Sequence, residues 1–303
     1  MQFLSSLFHS RANLLAGFLL LTTGANTSTA TEIRSHLDLQ MSDYTVIQQQ
    51  YDTPVQASAV PDDSLLASVP QGIRPGTGSQ LYSQRQVALA EGYVHTRISP
   101  DSFSDHWVNA TGIRSSEQWV ALLAEEAAAM AQLPEEAPLS IVVGDSISQW
   151  WPADLLPQDR YWLNQGISGD TTAGILSRLS SFAQTRPDTI HLMAGINDLK
   201  NGASDVDVLL NLAEIMRRLR AQHPEAHVIV QSILPTRRDN LPGDRIRALN
   251  AQIEAIAREQ QVTYVDLYPA FSDDAGNLRA ELTTDGLHLN RYGYEVWQLA
   301  MTN

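Results

Sequence analysis

Five short apolar runs, each followed by a stretch of helical character, occupy the second half of the chain and limit the folds open to it. The runs, partly β-branched, are LSIVV (139–143), YWLN (161–164), TIHLMA (189–194), HVIVQSIL (227–234) and VTYVDL (262–267). The stretches between them, such as DVDVLLNLAEIMRRLRAQ, place apolar residues three and four positions apart, the period of an amphipathic helix. Strands that alternate with helices predict a parallel sheet covered on both faces, a three-layer αβα domain.

The N-terminal part of the chain has a different character. Residues 1–30 contain the short apolar run LLAGFLLLTTGA at 14–25 and end in the small residues STA, which predicts a signal peptide cleaved after Ala30 and an exported protein. An uncleaved membrane anchor is the main alternative, and a buried helix is a third. Residues 31–114 are mostly polar without a sustained period, so we expect a largely disordered linker. A serine-capped helical pattern then opens the folded domain, 115–303.

Charge and composition exclude several classes of partner and chemistry. The chain has 20 Lys and Arg against 34 Asp and Glu, a net charge of -14, so phosphate backbones repel it and nucleic acid is not an expected partner. It contains no cysteine, which excludes disulfides, thiolate zinc sites and cysteine nucleophiles. No group of His, Asp and Glu has metal-ligand spacing, so we expect neither a metal nor another cofactor.

The segment IVVGDSISQW, 141–150, changes from strand to helix at a glycine, an acid and a serine. In a structural interpretation, Gly144 makes the turn and Asp145 or Ser146 caps the helix. In a functional interpretation, Ser146 is a nucleophile that points out of the sheet among helix N–H groups. The tripeptide alone does not decide between the two.

Other predicted strands also end in polar clusters, at the edge where ligands bind in such sheets. NQGISGDTT, 164–172, offers glycines with bare N–H groups, and AGINDLK, 194–200, follows the third strand. Near the C-terminus Asp285 precedes His288 by three residues, so both can face the same side of a turn. Each cluster alone is explained by a turn or a cap. Together they supply a nucleophile, a base, an acid and oxyanion donors, which favours Ser146 as a nucleophile.

Four segments, read in order, resemble the sequence blocks of the SGNH hydrolases, also called GDSL-type esterases and lipases. They are GDSIS, NQGISGDTT, GIND and DGLHLN, within roughly 139–303. The only departure noted is Ile147, where the commonest form of the first block has leucine. The resemblance implies a flavodoxin-like five-stranded sheet in the order 2-1-3-4-5, and a catalytic domain at 115–303.

The resemblance also implies roles for individual residues. The implied triad is Ser146 as nucleophile, His288 as base and Asp285 as acid. The implied oxyanion donors are the backbone N–H groups of Ser146 and Gly169 and the side-chain amide of Asn197.

Several further residues lie near the predicted strand ends. Asp266, which ends the fifth strand, is a weaker candidate for the acid of the triad. Arg237 and Arg238 follow the fourth strand and are interpreted as solvated loop charges. Trp150 and Trp151 either line an acyl or sugar pocket or pack in the core.

The expected protein is an exported, metal-free serine esterase. The loops after the strands are short and leave no apolar lid, so we expect short acyl esters, with O-acetylated carbohydrate as the natural substrate. A lysophospholipase, a thioesterase or a sugar O-acyltransferase is the alternative within the fold, and a non-catalytic carbohydrate-binding module is the alternative of another class. The expected partners are thus small-molecule, carbohydrate or lipid esters, with membrane association through residues 14–25 if the anchor is retained.

Overall fold

The computed structural model describes residues 73–134 and 136–302. These residues belong to a compact unit that spans Gln71–Asn303. The predicted signal peptide or anchor at 1–30, and the first part of the predicted linker, lie outside the described residues. Within the described ranges, no helix is both long and apolar enough to cross a bilayer.

A parallel sheet forms the centre of the domain. Its strands are β1 Leu139–Gly144, β2 Tyr161–Gly166, β3 Thr189–Met193, β4 His227–Gln231 and β5 Thr263–Val265. The strand order is β2-β1-β3-β4-β5, which confirms the predicted fold class and sheet order. Gly144 is level with Gly166 on one side and with Met193 on the other. The loops that follow these three strands therefore begin side by side.

Helices cover the sheet. The α-helices are α1 Gly78–Ala90, α2 Ser104–Trp107, α3 Ser116–Met130, α4 Ser146–Gln149, α5 Thr172–Arg178, α6 Ile196–Lys200, α7 Asp205–Gln222, α8 Gly243–Glu259, α9 Tyr268–Phe271 and α10 Arg291–Thr302. Short 3-10 turns lie at His95–Arg97, Ala153–Leu155, Leu179–Phe182 and Ala280–Leu282. The predicted serine cap begins α3, where Ser115 and Gln118 form a reciprocal capping box.

The core follows from the apolar periods of the strands and helices. β1 is buried along its whole length, as expected for a central parallel strand between two helical layers. On α7, the buried residues Val208, Leu212, Ile215 and Leu219 recur at intervals of three and four. Burying each of these side chains contributes roughly 1.5–3 kcal/mol. The sheet is thereby a rigid base for the loops at its carboxyl edge.

Residues 73–112, named here the N-terminal segment, differ from the largely disordered linker predicted for 31–114. Helix α1 buries the apolar residues Leu81, Tyr82 and Ala88 together with the polar residues Ser79, Gln84 and Arg85. Because half of what it buries is polar, α1 has no apolar stripe that a search for periodicity can find. The helix is stable because those polar groups have partners elsewhere in the domain.

Contacts with α3 and β2 attach the N-terminal segment to the domain. The Arg85 guanidinium forms a buried ion pair with Glu126 of α3 and donates to the Asn164 carbonyl oxygen at 2.8 Å. The Thr96 hydroxyl donates to the Trp162 carbonyl oxygen at 2.6 Å. The folded domain therefore begins before residue 115, the boundary expected from the sequence.

Candidate active site

Ser146 is the first residue of α4, two positions after the last residue of β1. Gly144 makes the turn possible, because a Cβ atom at that position would lie 2.5 Å from the carbonyl oxygen of Met193. Asp145 caps α4, and its carboxylate accepts a hydrogen bond from the Ile147 N–H at 2.9 Å. Gly144 therefore makes the turn and Asp145 caps the helix, as the structural interpretation of this segment predicts. They leave the Ser146 side chain at the carboxyl edge of the sheet.

His288 reaches Ser146 from the loop before α10. Its Nε2 atom lies 3.2 Å from Ser146 Oγ, and its Nδ1 atom lies 3.0 Å from Asp285 Oδ2. The other carboxylate oxygen, Oδ1, accepts from the backbone N–H groups of His288 at 2.8 Å and Leu287 at 3.0 Å. One carboxylate therefore orients both the imidazole ring and the loop that carries it. The structure brings the three residues of the predicted triad into one hydrogen-bonded chain.

The Asp285 carboxylate is held in its charged form. Partial burial favours the neutral acid, but the hydrogen bonds from His288 and Leu287 outweigh burial and lower the pKa of Asp285 to about 2. Arg238 also donates to Asp285 Oδ2, at 2.9 Å. A solvated loop charge was expected at Arg238, and its side chain is indeed partly exposed. Its bond to the same oxygen as the histidine was not predicted.

The loop between Thr283 and Leu289 is fixed by its backbone. Gly286 has a φ of 84°, which favours glycine, and its carbonyl oxygen accepts from the Arg237 N–H at 2.8 Å. The Thr283 hydroxyl donates to the His288 carbonyl oxygen at 2.7 Å. The rival acid Asp266 lies elsewhere, where its carboxylate accepts from the Tyr268 N–H at 3.1 Å. The structure therefore pairs His288 with Asp285.

The predicted oxyanion donors lie on the loops after β2 and β3. Asn197 is buried in α6 and donates from Nδ2 to the carbonyl oxygen of Asp170 at 3.0 Å. A side-chain amide has two N–H groups, and this bond uses one of them. Gly169, the residue before Asp170, has a φ of 82°, and its N–H has no acceptor among the described residues. Both loops thus retain an N–H donor beside the end of β1.

Two acidic residues hold these loops in place. Asp170 forms an ion pair with Arg178 at 2.7 Å, and Arg178 also donates to the Gly144 carbonyl oxygen at 3.1 Å. Asp198 accepts from the Thr172 N–H at 2.9 Å and from the Thr172 hydroxyl at 2.6 Å. Burial raises the pKa of Asp170, while the Arg178 charge opposes the change. The loops are rigid because their polar groups bond to one another and to β1.

Asn164, at the start of NQGISGDTT, has a structural role in this arrangement. Its side chain donates to the Ser148 carbonyl oxygen at 2.7 Å and accepts from the Gly166 N–H at 2.9 Å. A Cβ atom at position 166 would overlap the Gln149 backbone. Glycine at this position therefore lets α4 pack directly against the end of β2.

The family is decided by the match to a family model. Residues 142–296, just over half of the chain, match the model described as GDSL-like Lipase/Acylhydrolase family. The chain belongs to the GDSL-like lipase/acylhydrolase family. The resemblance seen in the four sequence blocks is thereby confirmed, and so is the prediction of a serine hydrolase that acts on ester bonds.

Relatives of this GDSL-like protein include proteins that are named as enzymes. It is 28% identical over 174 residues to Esterase TesA of Pseudomonas aeruginosa, which covers 55% of this chain and 83% of that protein. It is 26% identical over 201 residues to platelet-activating factor acetylhydrolase IB subunit alpha2 of Homo sapiens, covering 61% of this chain and 82% of that protein. The solved structure of a GDSL-like lipase from Bacteroides thetaiotaomicron has the same fold, with a TM-score of 0.53 and 24% identity over 60% of this chain and 95% of that chain.

A small apolar cavity of this GDSL-like enzyme is lined by sequence neighbours of Ser146 and His288. Its volume is about 270 Å³, open solvent at its mouth included. Its wall includes the side chains of Ile147, Met193, Ile196, Ile233 and Leu287. The cavity is therefore a narrow apolar cleft rather than a deep pocket.

Asp145 has a property that the sequence did not reveal. The residue is 2% exposed, and burial raises its pKa to about 7, although the Ile147 hydrogen bond and the nearby His288 oppose the change. Two neighbouring carboxylates add to the increase. The only signal in the sequence was an acid directly before Ser146, which was interpreted as a helix cap. Besides Asp285, the site therefore contains a second carboxyl group, that of Asp145, whose pKa lies near neutrality.

Proposed function

We propose that this protein hydrolyses esters of short acyl groups through an acyl-enzyme, with Ser146 as the nucleophile, His288 as the base and Asp285 as the orienting acid. The observation that supports this proposal best is the hydrogen-bonded chain from Ser146 Oγ through both ring nitrogens of His288 to Asp285. A serine hydroxyl is a weak nucleophile by itself, and a base within hydrogen-bond reach activates it. Asp285 selects the tautomer in which Nδ1 carries the proton and Nε2 is free to accept one.

Acylation begins when Ser146 Oγ attacks the ester carbonyl carbon and its proton passes to Nε2 of His288. The tetrahedral intermediate then collapses, and the imidazolium donates that proton to the leaving alcohol oxygen. In deacylation His288 takes a proton from water, which attacks the acyl-enzyme carbonyl; the imidazolium then returns that proton to Ser146 Oγ as the bond to the acyl carbon breaks and the acid leaves. The negative Asp285 stabilises the imidazolium in both halves of the reaction.

The oxyanion of each intermediate is bound by the N–H groups of Ser146 and Gly169 and by the second N–H of Asn197. This assignment is supported by the free Gly169 N–H and by the bond that fixes the Asn197 amide to Asp170. Donors that are held in place before charge develops lower the barrier without reorganisation.

A preference for short acyl groups is supported by the size of the cavity and by one relative's name. A cavity of about 270 Å³ leaves little wall against which a long chain gains burial energy, at about 0.8 kcal/mol for each methylene. The relative from Homo sapiens is named an acetylhydrolase. We extend the proposal to acetylated carbohydrate as the natural substrate. Lysophospholipase, thioesterase and sugar acyltransferase activities are the alternatives.

The chain-length preference is tested with p-nitrophenyl acetate, butyrate and palmitate. We expect kcat/KM to be highest for acetate or butyrate and at least tenfold lower for palmitate. A preference for palmitate or for a lysophospholipid contradicts the short-acyl assignment. Transfer of the acetyl group to an added sugar faster than to water favours the acyltransferase.

The triad is tested by combining substitutions. Ser146→Ala and His288→Ala should each remove nearly all esterase activity, and the double variant should be little worse, because members of one catalytic unit are strongly non-additive. Losses that multiply in the double variant contradict the proposed mechanism.

We further propose that the protein is exported, since the apolar run at 14–25 and the STA sequence before Thr31 have the form of a signal peptide. N-terminal sequencing of the protein in the non-cytoplasmic fraction of the cells should find Thr31 as its first residue. An intact Met1 in the membrane fraction favours the anchor, and an intact Met1 in the cytoplasm contradicts export.

A further inference from the structure

A second cavity lies between the N-terminal segment and the chain that leaves α4. Its volume is about 520 Å³ with open solvent included, nearly twice that of the small apolar cavity. The N-terminal segment supplies Gln84 and His95, and the chain at the end of α4 supplies Gln149, Trp150 and Trp151. We term this cavity the segment pocket. No step of the proposed ester hydrolysis requires it.

Polar side chains of the segment pocket have unused hydrogen-bonding capacity. Nδ1 of His95, Nε2 of Gln149 and Nε1 of Trp151 are buried and have no hydrogen-bond partner among the described residues. Native interiors contain few such atoms, since leaving one unpaired costs about 1–3 kcal/mol. Three of them belong to side chains that line this cavity, so a polar ligand with several hydrogen-bonding groups fits its wall.

The charge of the segment pocket favours a neutral ligand. Burial, together with the nearby Arg85 charge, lowers the pKa of His95 to about 3, so its ring is neutral and has one donor and one acceptor. Of the charged residues in the wall, Asp154 forms an ion pair with Arg291 at 2.7 Å, and Arg74 is exposed. A phosphate or carboxylate ligand would find no buried cation in this wall.

The aromatic part of the wall fits a sugar ring. Trp150 is partly exposed, and Trp151 is buried. An indole ring offers a large apolar face at little conformational cost, while its N–H remains a donor. A pyranose has an apolar C–H face to lie against such a ring and hydroxyl groups that both donate and accept at its edge. A neutral sugar therefore matches both kinds of surface.

The segment pocket includes residues that follow Ser146 closely along the chain. Gln149 and Trp150 follow Ser146 by three and four residues, which places them on the same side of α4. Gln149 Oε1 accepts from the Ser168 N–H at 2.8 Å, and Trp150 Nε1 donates to the Ser168 hydroxyl at 3.2 Å. Ser168 directly precedes Gly169, the proposed oxyanion donor. A ligand in the pocket thus contacts residues within one helical turn of the nucleophile.

We propose that the segment pocket binds a neutral sugar ring of the carbohydrate chain whose acetyl ester Ser146 hydrolyses. This inference rests on the proposed function, because it assigns the alcohol part of the same substrate. The N-terminal segment is then a part of the binding site, since it supplies the wall that faces Trp150.

Binding is measured first, without catalysis. Calorimetry on the full-length Ser146→Ala protein uses xylotetraose and cellotetraose as neutral, unacetylated probes. We expect one of them to bind, and adding Trp150→Ala should weaken binding at least fivefold. Trp150→Phe keeps an aromatic face and should weaken binding less. This variant keeps the test valid if the alanine variant fails to fold. The matched control is Tyr292→Ala, at an aromatic residue of α10 that is 52% exposed, and it should leave binding unchanged.

Activity then separates failure of this inference from failure of the proposed function. In the protein that retains Ser146, Trp150→Ala should lower kcat/KM for acetylated xylotetraose, mainly by raising KM. This loss should be at least tenfold larger than the loss of kcat/KM for p-nitrophenyl acetate. Equal losses on both substrates, or no binding of either tetrasaccharide while the acetylated one is hydrolysed, overturn the segment pocket as a sugar site. If p-nitrophenyl acetate is hydrolysed and acetylated tetrasaccharides are not, the carbohydrate part of the proposed function is itself contradicted.

Discussion

The buried Asp145 should make the fold less stable as pH rises, and Asp145→Asn should remove this dependence. The pKa of Asp145 is raised from 3.8 to about 7 in the folded protein, so between these values the folded state holds a proton that the unfolded state has lost. Stability therefore falls as pH rises through this window. Above pH 7 the full penalty applies, and it amounts to roughly 4 kcal/mol at about 1.4 kcal/mol for each unit of pKa. Asparagine retains an oxygen that accepts from the Ile147 N–H.

The assay is urea unfolding of both proteins at pH 4.5 and pH 8, with free energies from linear extrapolation. At pH 8 the asparagine variant should be more stable by up to about 4 kcal/mol, and at pH 4.5 the two proteins should differ by much less. Comparing the two proteins at each pH cancels the titration of groups that do not interact with Asp145. A difference in stability that is the same at both pH values, or that favours aspartate at pH 8, refutes the reasoning.

Three further predictions concern other polar contacts. Arg238→Gln should lower kcat/KM less than about tenfold, because the guanidinium and the triad carboxylate are both partly exposed and exposed charges interact weakly; a loss as large as that of His288→Ala contradicts this expectation. Glu126→Gln should lower the free energy of unfolding by about 3–5 kcal/mol, since it leaves the Arg85 charge buried without its partner, whereas the exposed control Glu254→Gln should cost less than about 1 kcal/mol by the same denaturation assay. Asn197→Ala should reduce kcat by about 10²- to 10³-fold with little change in KM, and a change confined to KM excludes an oxyanion role.

The parts of the fold that the sequence predicts are those that depend on local patterns. The apolar runs predict the strands, and the stretches between them, with apolar residues three and four positions apart, predict the helices. The parallel αβα class follows from the alternation of strands and helices. The spacing of Asp285 and His288 predicts their contact, because residues three positions apart can place both side chains on the same side of a turn. The turn at Gly144 likewise places Ser146 at the carboxyl edge of the sheet.

The parts that it does not predict depend on distant partners. Arg85 is stable in the interior because Glu126 and the Asn164 carbonyl oxygen lie beside it, although these are 41 and 79 residues away along the chain. Arg238 contacts an aspartate 47 residues later. The pKa of Asp145 depends on how completely other segments cover it. No local pattern records such pairings, so polar residues with long-range partners were interpreted as linker or as solvated charges.

The central claim, that Ser146 is the nucleophile of this GDSL-like enzyme, is tested most directly by labelling with a fluorophosphonate. The full-length protein should gain one phosphonyl group by intact-mass spectrometry, peptide mapping should place it on Ser146, and esterase activity should be lost in proportion to labelling. The Ser146→Ala protein should remain unlabelled. A label on another serine, or esterase activity that survives in the Ser146→Ala protein, would contradict the account.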